Sequence, residues 1–308
     1  MRNNRFSLLV DDEEPEVAPE KETPPPPSVG GLSKYRCEQT VMTKINGVVS
    51  NHAETKWEFH MTRRQSGGDL YVDVVMADNI INFNPPQLQE AIQLLGEVDQ
   101  VKSNAKVLVD GVTGKIARVI NHKEIIENWN RYKNELTDRY AFIRDKEARK
   151  NVQHFISLAE AQIVDERQLI ADMGTKMFFD LFFDKYLVRQ EGLFDPYVRV
   201  FYSQLFDGQP VPVRMEQLIT AETPDTATVN KVGRMIAAKV DLPAMVKMYD
   251  QKYKPVIQYK FSEFDLSYKE RYVLNTRDRL IETAEVHLME EVRNNVQVYI
   301  HYTLKRIE

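Results

Sequence analysis

The chain has 308 residues, 43% of them hydrophobic, with a formal net charge of −5 and a single cysteine. That is enough apolar material for one large domain or two ordinary ones without covalent staples, and the lone Cys37 excludes an intramolecular disulfide or a thiolate cluster. Residues 11–22 hold seven acids against Lys21 alone, so the rest is near neutral and lacks the basic stripe that phosphate contacts need, which argues against nucleic acid as the main partner.

The opening "MRNNRFSLLVDDEE" contains one short apolar run, Phe6, Leu8, Leu9 and Val10, broken by Ser7. It is shorter than the roughly 7 to 15 apolar residues of an export signal and the about 20 of a membrane span. With Met1 as the start, the expected location is therefore the cytoplasm. Residues 1–31 read as a disordered leader, because residues 11–31 combine acids with six prolines and a glycine pair, too little apolar surface to offset the entropy of ordering. Pro24 to Pro27 favour a stiff polyproline stretch. A stiff spacer holds its far end away from the body. That end, "RFSLLV", is expected either to add as a strand or dock in a groove, or to be a ragged terminus.

Residues 32–308 read as the body. "YRCEQTVMTKI" and "VVSNHAETKWEFHMTRR" flank Asn46-Gly47, the strongest short hairpin signal. A two-residue turn opposes Ile45 with Val48, which puts Cys37 out of phase with Trp57, Phe59 and Met61 unless a bulge lies between Ser50 and Glu54. Cys37, with no basic neighbour to lower its pKa, reads as a core thiol. "LYVDVVMADNIINF" is a third strand. A helix then starts at Pro85-Pro86, with Leu88, Ala91, Ile92 and Leu95 on one face. "KVLVDGVTGKIARVIN" reads as two short strands about Gly111 to Gly114. It lacks the spacing of a phosphate loop.

Asn121 and Glu124 sit in capping-box positions, and from there to about Val188 the pattern is helical. One stripe is Ile125, Trp129, Tyr132, Leu136 and Tyr140; another is Val152, Phe155, Ile156 and Ile163. After Gly192 strands return, in "PYVRVFYSQLF", "VPVRMEQLI" and "TATVNKVGRMIAAKV". A short helix at "LPAMVKMYDQKY" follows, then a closing meander to the end. This return allows a boundary within the body near residue 190. Strands at both ends with helices between predict an α+β fold, with one or two twisted antiparallel sheets packed on central helices.

Two clusters are candidate sites. In "KMFFDLFFDKYLV", Phe178, Phe179, Phe182 and Phe183 cover a wide apolar face, while Lys176, Asp180 and Asp184 recur at i, i+4 and i+8. Two carboxylates one turn apart suit a divalent metal only with further oxygen ligands, and none has a matching spacing. The expectation is a buried helix with one solvated stripe and a Lys-Asp pair. In the last hairpin, a three-residue loop Arg293 to Asn295 pairs Val292 with Val296 and sets His287 opposite His301. That would be half a metal site or a pH-sensitive pair; a two-residue loop sends His301 to the other face. His52, His60, His122 and His154 are scattered. No metal, cofactor or catalytic residue is assigned, for there is no HExxH, GxSxG or Cys-His arrangement.

The aromatic complement of 14 Tyr, 14 Phe and 2 Trp, with Met42, Met61, Met76, Met173, Met177, Met215, Met235, Met245, Met248 and Met289, suits an adaptable groove. The expected function is a non-enzymatic adaptor or chaperone that holds an apolar segment of a protein partner. Its contacts would be Phe6, Leu8, Leu9 and Val10 in the leader, and Phe178, Phe179, Phe182 and Phe183 in the body. The alternatives are a carrier of a lipid or small apolar ligand, and an enzyme with a carboxylate and histidine site. The order of long antiparallel strands, the turn-strand-helix "DGVTGKIARVINHKEI" and the closing meander resemble the half-barrel carriers of lipoproteins. They equally resemble the half-barrel chaperones that hold apolar segments of secreted effectors, the likeness running over residues 34–305. The resemblance implies a half-barrel with an apolar trough. The lipoprotein carriers are exported, so the missing signal favours the chaperones of a secretion system.

Overall fold

The computed structural model describes residues 30–142, 144–188 and 193–307. The run from Phe6 to Val10, with the rest of the leader up to residue 29, lies outside the described residues. The chain opens with β1 (Leu32–Ile45), β2 (Val48–Ser66) and β3 (Asp69–Asn84), then α1 (Gln89–Ser103), β4 (Ala105–Val109) and β5 (Ile116–Val119). Four helices follow: α2 (His122–Arg139), α3 (Lys146–Val164), α4 (Glu166–Thr175) and α5 (Met177–Phe182). Next come β6 (Tyr197–Tyr202), β7 (Pro210–Glu222) and β8 (Thr226–Met235), then α6 (Leu242–Lys252) and α7 (Lys254–Ile257). The closing meander is β9 (Phe264–Asn275), β10 (Ile281–Val292) and β11 (Val296–Arg306).

All the strands among the described residues belong to one antiparallel sheet of eleven, ordered β5-β4-β3-β2-β1-β11-β10-β9-β8-β7-β6. The first and last strands meet in its middle. β1 pairs with β11 from Tyr35 opposite Arg306 to Ile45 opposite Val296, so the opening and closing ends of the chain form one surface. Its inward face carries one residue in two along each strand and is covered by α4, α5 and the turn after them; the fold is α+β with an open sheet.

The first hairpin turns at Asn46 and Gly47, both at positive φ. Ile45 faces Val48 and Lys44 faces Val49, but Thr43 faces Asn51. Ser50 is therefore the extra residue of a bulge, and its hydroxyl donates to the Thr43 carbonyl at 3.2 Å. This is the bulge the apolar pattern demands, and beyond it Cys37 faces Trp57 and Tyr35 faces Phe59. A second bulge leaves Ala77 unpaired in β3 and brings Met76 opposite Phe59. Cys37 is buried, which pushes its thiol up to about 12, the inert core thiol expected.

Two helices differ from the sequence reading in an instructive way. The buried residues of α1 are Gly96, Val98, Lys102 and Ser103, whereas Leu88 and Leu95 are about half exposed. A Cβ at Gly96 would stand 2.6 Å from Ile81 Cδ1, so α1 approaches β3 through its glycine and turns the leucines away. At the start of α2 the Asn121 side chain does not cap. Its oxygen accepts from the Lys106 amide at 2.7 Å and its amide donates to the Asn104 carbonyl at 3.1 Å, which ties the helix to β4. The α2 stripe itself is as expected, with Ile125, Trp129 and Leu136 buried. Among the described residues no helix is long and apolar enough to cross a membrane.

What holds the α5 end of the helical segment in place is the chain around Asp184. Gly114, at φ +72°, packs its Cα against the Asp184 carbonyl so closely that any Cβ would collide with it. The Asp184 carboxylate meets Lys231 Nζ of β8 at 3.1 Å, and that ammonium meets Glu270 of β9, its cross-strand partner, also at 3.1 Å. The three side chains are 17%, 5% and 2% exposed. Burial pushes the Asp184 carboxyl up, but Lys231, then Lys115 and the Lys185 amide, outweigh it and hold the group below its ordinary 3.8. For Lys231 burial acts to lower the pKa, and Glu270 and Asp184 override it, keeping the ammonium charged.

Two outcomes are expected. Gly114→Ala forces a positive φ and a backbone collision together, and lowers unfolding free energy by at least about 2 kcal/mol in urea titration. Lys231→Met strands two buried carboxylates and costs about 3–5 kcal/mol. The folded pKa of Asp184 lies below the unfolded one, so its contribution is complete above 3.8 and is lost as the pH falls through the folded value. The urea midpoint should therefore fall with acid below about pH 4, and less steeply in Lys231→Met.

Candidate functional site: an apolar cavity beneath α4 and α5

The segment "KMFFDLFFDKYLV" is not one helix. α5 stops at Phe182 and a single turn of 3-10 helix covers Lys185–Leu187. All four phenylalanines, Phe178, Phe179, Phe182 and Phe183, are buried. Phe178 lies flat on Phe59 of β2, with ring centroids 3.8 Å apart and planes at 5°. Tyr35 of β1 presents an edge contact to Phe178 at 6.0 Å and to Phe182 at 5.8 Å. Each buried ring contributes about 1.5–3 kcal/mol of apolar transfer, with some 0.5–1.5 more for a good aromatic pair. The segment is a plug seated on the sheet.

Because the helix ends early, Lys176, Asp180 and Asp184 do not line up, and the expected solvated stripe with its Lys-Asp pair does not form. Lys176 turns to Asp99 at 2.8 Å and Asp172 at 3.4 Å. Asp180 takes Arg199 of β6 at 2.6 Å, with Lys115 at 3.6 Å, and Asp184 takes Lys231. Each carboxylate is thus partly buried beside a cation from another element. They do not form a pair poised for a metal. Arg199 is pulled down by burial, but Asp180 more than offsets this and holds its pKa above the ordinary value. Its guanidinium also lies 4.2 Å from the centroid of the Phe201 ring.

Beside the plug a cavity of about 550 Å³ remains between α4, α5 and the sheet. Its floor and walls are the buried side chains of Phe59, Met76, Phe178, Phe201, Leu288, Ile300 and Tyr302, with Trp57 half-buried. They come from β2, β3, β6, β10, β11 and α5. Both arms of the sheet therefore curl around one space. Gly174, Thr175, Tyr202 and Gln204 stand exposed at the mouth, while Lys176 and Arg199 line the cavity with their charges already paired.

Of the four phenylalanines singled out from the sequence, Phe178 lines the cavity and the other three pack elsewhere in the core. The leader residues Phe6, Leu8, Leu9 and Val10 lie outside the described residues. Met76 and Met177 contribute to the lining, whereas Met61, Met173, Met215 and Met245 are core. The lining residues that sequence reasoning did not select, Trp57, Phe59, Phe201, Leu288, Ile300 and Tyr302, are alternate positions of ordinary strands. Their only signal was inward phase. The last hairpin has the three-residue loop, with Val292 facing Val296 and His287 facing His301. The two imidazoles alternate with Leu288, Ile300 and Tyr302, and so stand on the outer face of the sheet, away from this cavity.

The sequence matches no protein-family model and no curated protein. Among solved structures, one described as lipid-protein interactions in lipovitellin is similar in fold, with a TM-score of 0.46 and 8% identity; the match covers 91% of this chain and 25% of that one. The matched part is thus a quarter of the length of that chain.

Proposed function

We propose that the protein is a non-enzymatic binding protein for a small apolar or amphipathic molecule, held with its apolar part beneath α4 and α5 and its polar end at the mouth. The observation that carries this is the cavity itself, about 550 Å³ and lined mainly by aromatic and aliphatic side chains, with Gln39 of β1 and Asp99 of α1 as polar groups within it. That volume falls within the roughly 300–1,000 Å³ of small-molecule sites, which are mostly apolar with a few placed polar groups. Thr175 and Gln204 at the mouth supply hydrogen-bonding groups for a polar end. The charges that line the space neutralise one another, which suits binding better than chemistry.

An adaptor or chaperone would use the same trough for an apolar segment of a protein partner. The phenylalanines that would grip such a segment are instead engaged with the protein's own sheet. The space left beside them is that of a small ligand.

Oleate is a suitable probe. The chain has two tryptophans, Trp57 on the cavity wall and Trp129 buried in α2. Saturable oleate binding should change the intrinsic fluorescence, and Trp57→Phe should remove that change while equilibrium dialysis still finds oleate bound. Ile300→Phe adds bulk toward the cavity and should weaken binding about tenfold or more, equivalent to about 1.4 kcal/mol, with circular dichroism unchanged. Absence of saturable binding to the wild type, or equal affinity in folded Ile300→Phe, overturns the assignment.

A further inference from the structure

The outer face of the last hairpin carries a cluster that the cavity does not use. His287 of β10 and His301 of β11 face each other across the ladder, with rings stacked at 4.6 Å and 13°. Glu285, two residues before His287 and so on the same face, reaches both. Its Oε1 lies 3.1 Å from His287 Nε2 and 2.9 Å from His301 Nε2. One ligand atom from each of the three lies within 4.8 Å of the others.

We propose that Glu285, His287 and His301 form a binding site for a divalent transition-metal ion of the zinc type, open to solvent on its outer side. Two imidazole nitrogens and one carboxylate oxygen are the donor types zinc takes, at about 2.0–2.2 Å and in tetrahedral array, which sets donors about 3.3 Å apart. The two imidazole-carboxylate edges need only small adjustment to reach that spacing. The side chains are 50%, 40% and 34% exposed, so the remaining position belongs to water or to a ligand from outside.

A further contact separates this cluster from chance. His287 Nδ1 lies 2.7 Å from the Tyr299 hydroxyl. Without metal, His287 Nε2–H donates to the Glu285 carboxylate and Nδ1 accepts from the Tyr299 hydroxyl; with a metal on Nε2, the neutral ring would carry its proton on Nδ1 and donate it to the Tyr299 oxygen, the outer-shell arrangement that orients a metal-bound histidine. On binding, the Nε2 contacts to Oε1 give way to metal-nitrogen and metal-oxygen bonds, and any proton on Nε2 passes to solvent. Elsewhere on the sheet His60 pairs with Glu58 at 2.8 Å and His52 with Glu54 at 3.7 Å, but each of those pairs has one imidazole. Lys269 faces His287 and Arg271 faces Glu285 from β9, and their charges temper the affinity for a cation.

The test is calorimetric titration of the full chain with zinc sulfate. The wild type should bind one ion that His301→Ala or Glu285→Gln weakens by about tenfold or more, and Tyr299→Phe should weaken it by about tenfold. His60→Ala should leave it unchanged. Zinc should raise the Tm of the wild type and not that of His301→Ala. All four positions face outward, so circular dichroism should be unaltered. Absence of zinc binding to the wild type, or affinity in folded His301→Ala and Glu285→Gln equal to wild type, overturns the proposal. Oleate binding at the cavity is a separate measurement and is unaffected by either outcome.

Discussion

The structure depends on the pairing of β1 with β11. This ladder joins residues from opposite ends of the chain, Tyr35 with Arg306 and Ile45 with Val296, and without it there would be two smaller sheets and no shared inner surface. It also fixes the phase of both faces. Ile300 and Tyr302 of β11 point into the cavity, while His301 between them points out. A one-residue slip would exchange them. The apolar floor inside and the histidine pair outside are therefore two consequences of a single register. That register is held by the burial of the inward set along several adjoining strands at once.

A sheet of this span would leave a long apolar face open. The helical segment closes part of it, and the manner of closure determines how much space remains. Phe178 stacks on Phe59, and Phe182 meets Tyr35, so the plug is seated by aromatic contact near β1 and β2. It is also held by charge, through Asp180 with Arg199 and, just beyond the helix, Asp184 with Lys231. Buried ion pairs contribute little net stability beside apolar packing, but breaking one is costly. Their effect is to fix position. Apolar contacts alone would tolerate sliding of the plug, whereas the two carboxylates each have a cation waiting at one place on the sheet. The cavity is the volume that this doubly anchored segment does not fill.

Close approach without side chains is a second theme. α1 meets β3 through Gly96, and the β4–β5 turn meets the segment after α5 through Gly114. In both places the absence of a Cβ lets backbone lie where a side chain would have kept it away. These contacts bring the helical layer down onto the sheet. They also explain why apolar periodicity misplaced the buried face of α1, since periodicity weighs leucine and gives glycine no weight.

The sequence by itself determined the local elements: the Asn-Gly hairpin and the need for its bulge, the strand runs, the α2 stripe and the α+β class, while leaving two registers open for His287 and His301 that the three-residue loop of the structure decided. Each is written in turn chemistry or in side-chain period, which neighbouring residues specify. Only the tertiary structure decided that β1 pairs with β11, that α5 stops at Phe182 so that Asp180 and Asp184 diverge to separate cations, and that Trp57, Phe59, Phe201, Leu288, Ile300 and Tyr302 surround one space. The physical reason is the same for all three. A strand's inward phase says which side chains are buried, but what they are buried against comes from residues far away in the chain, and one sequence holds no record of those distances.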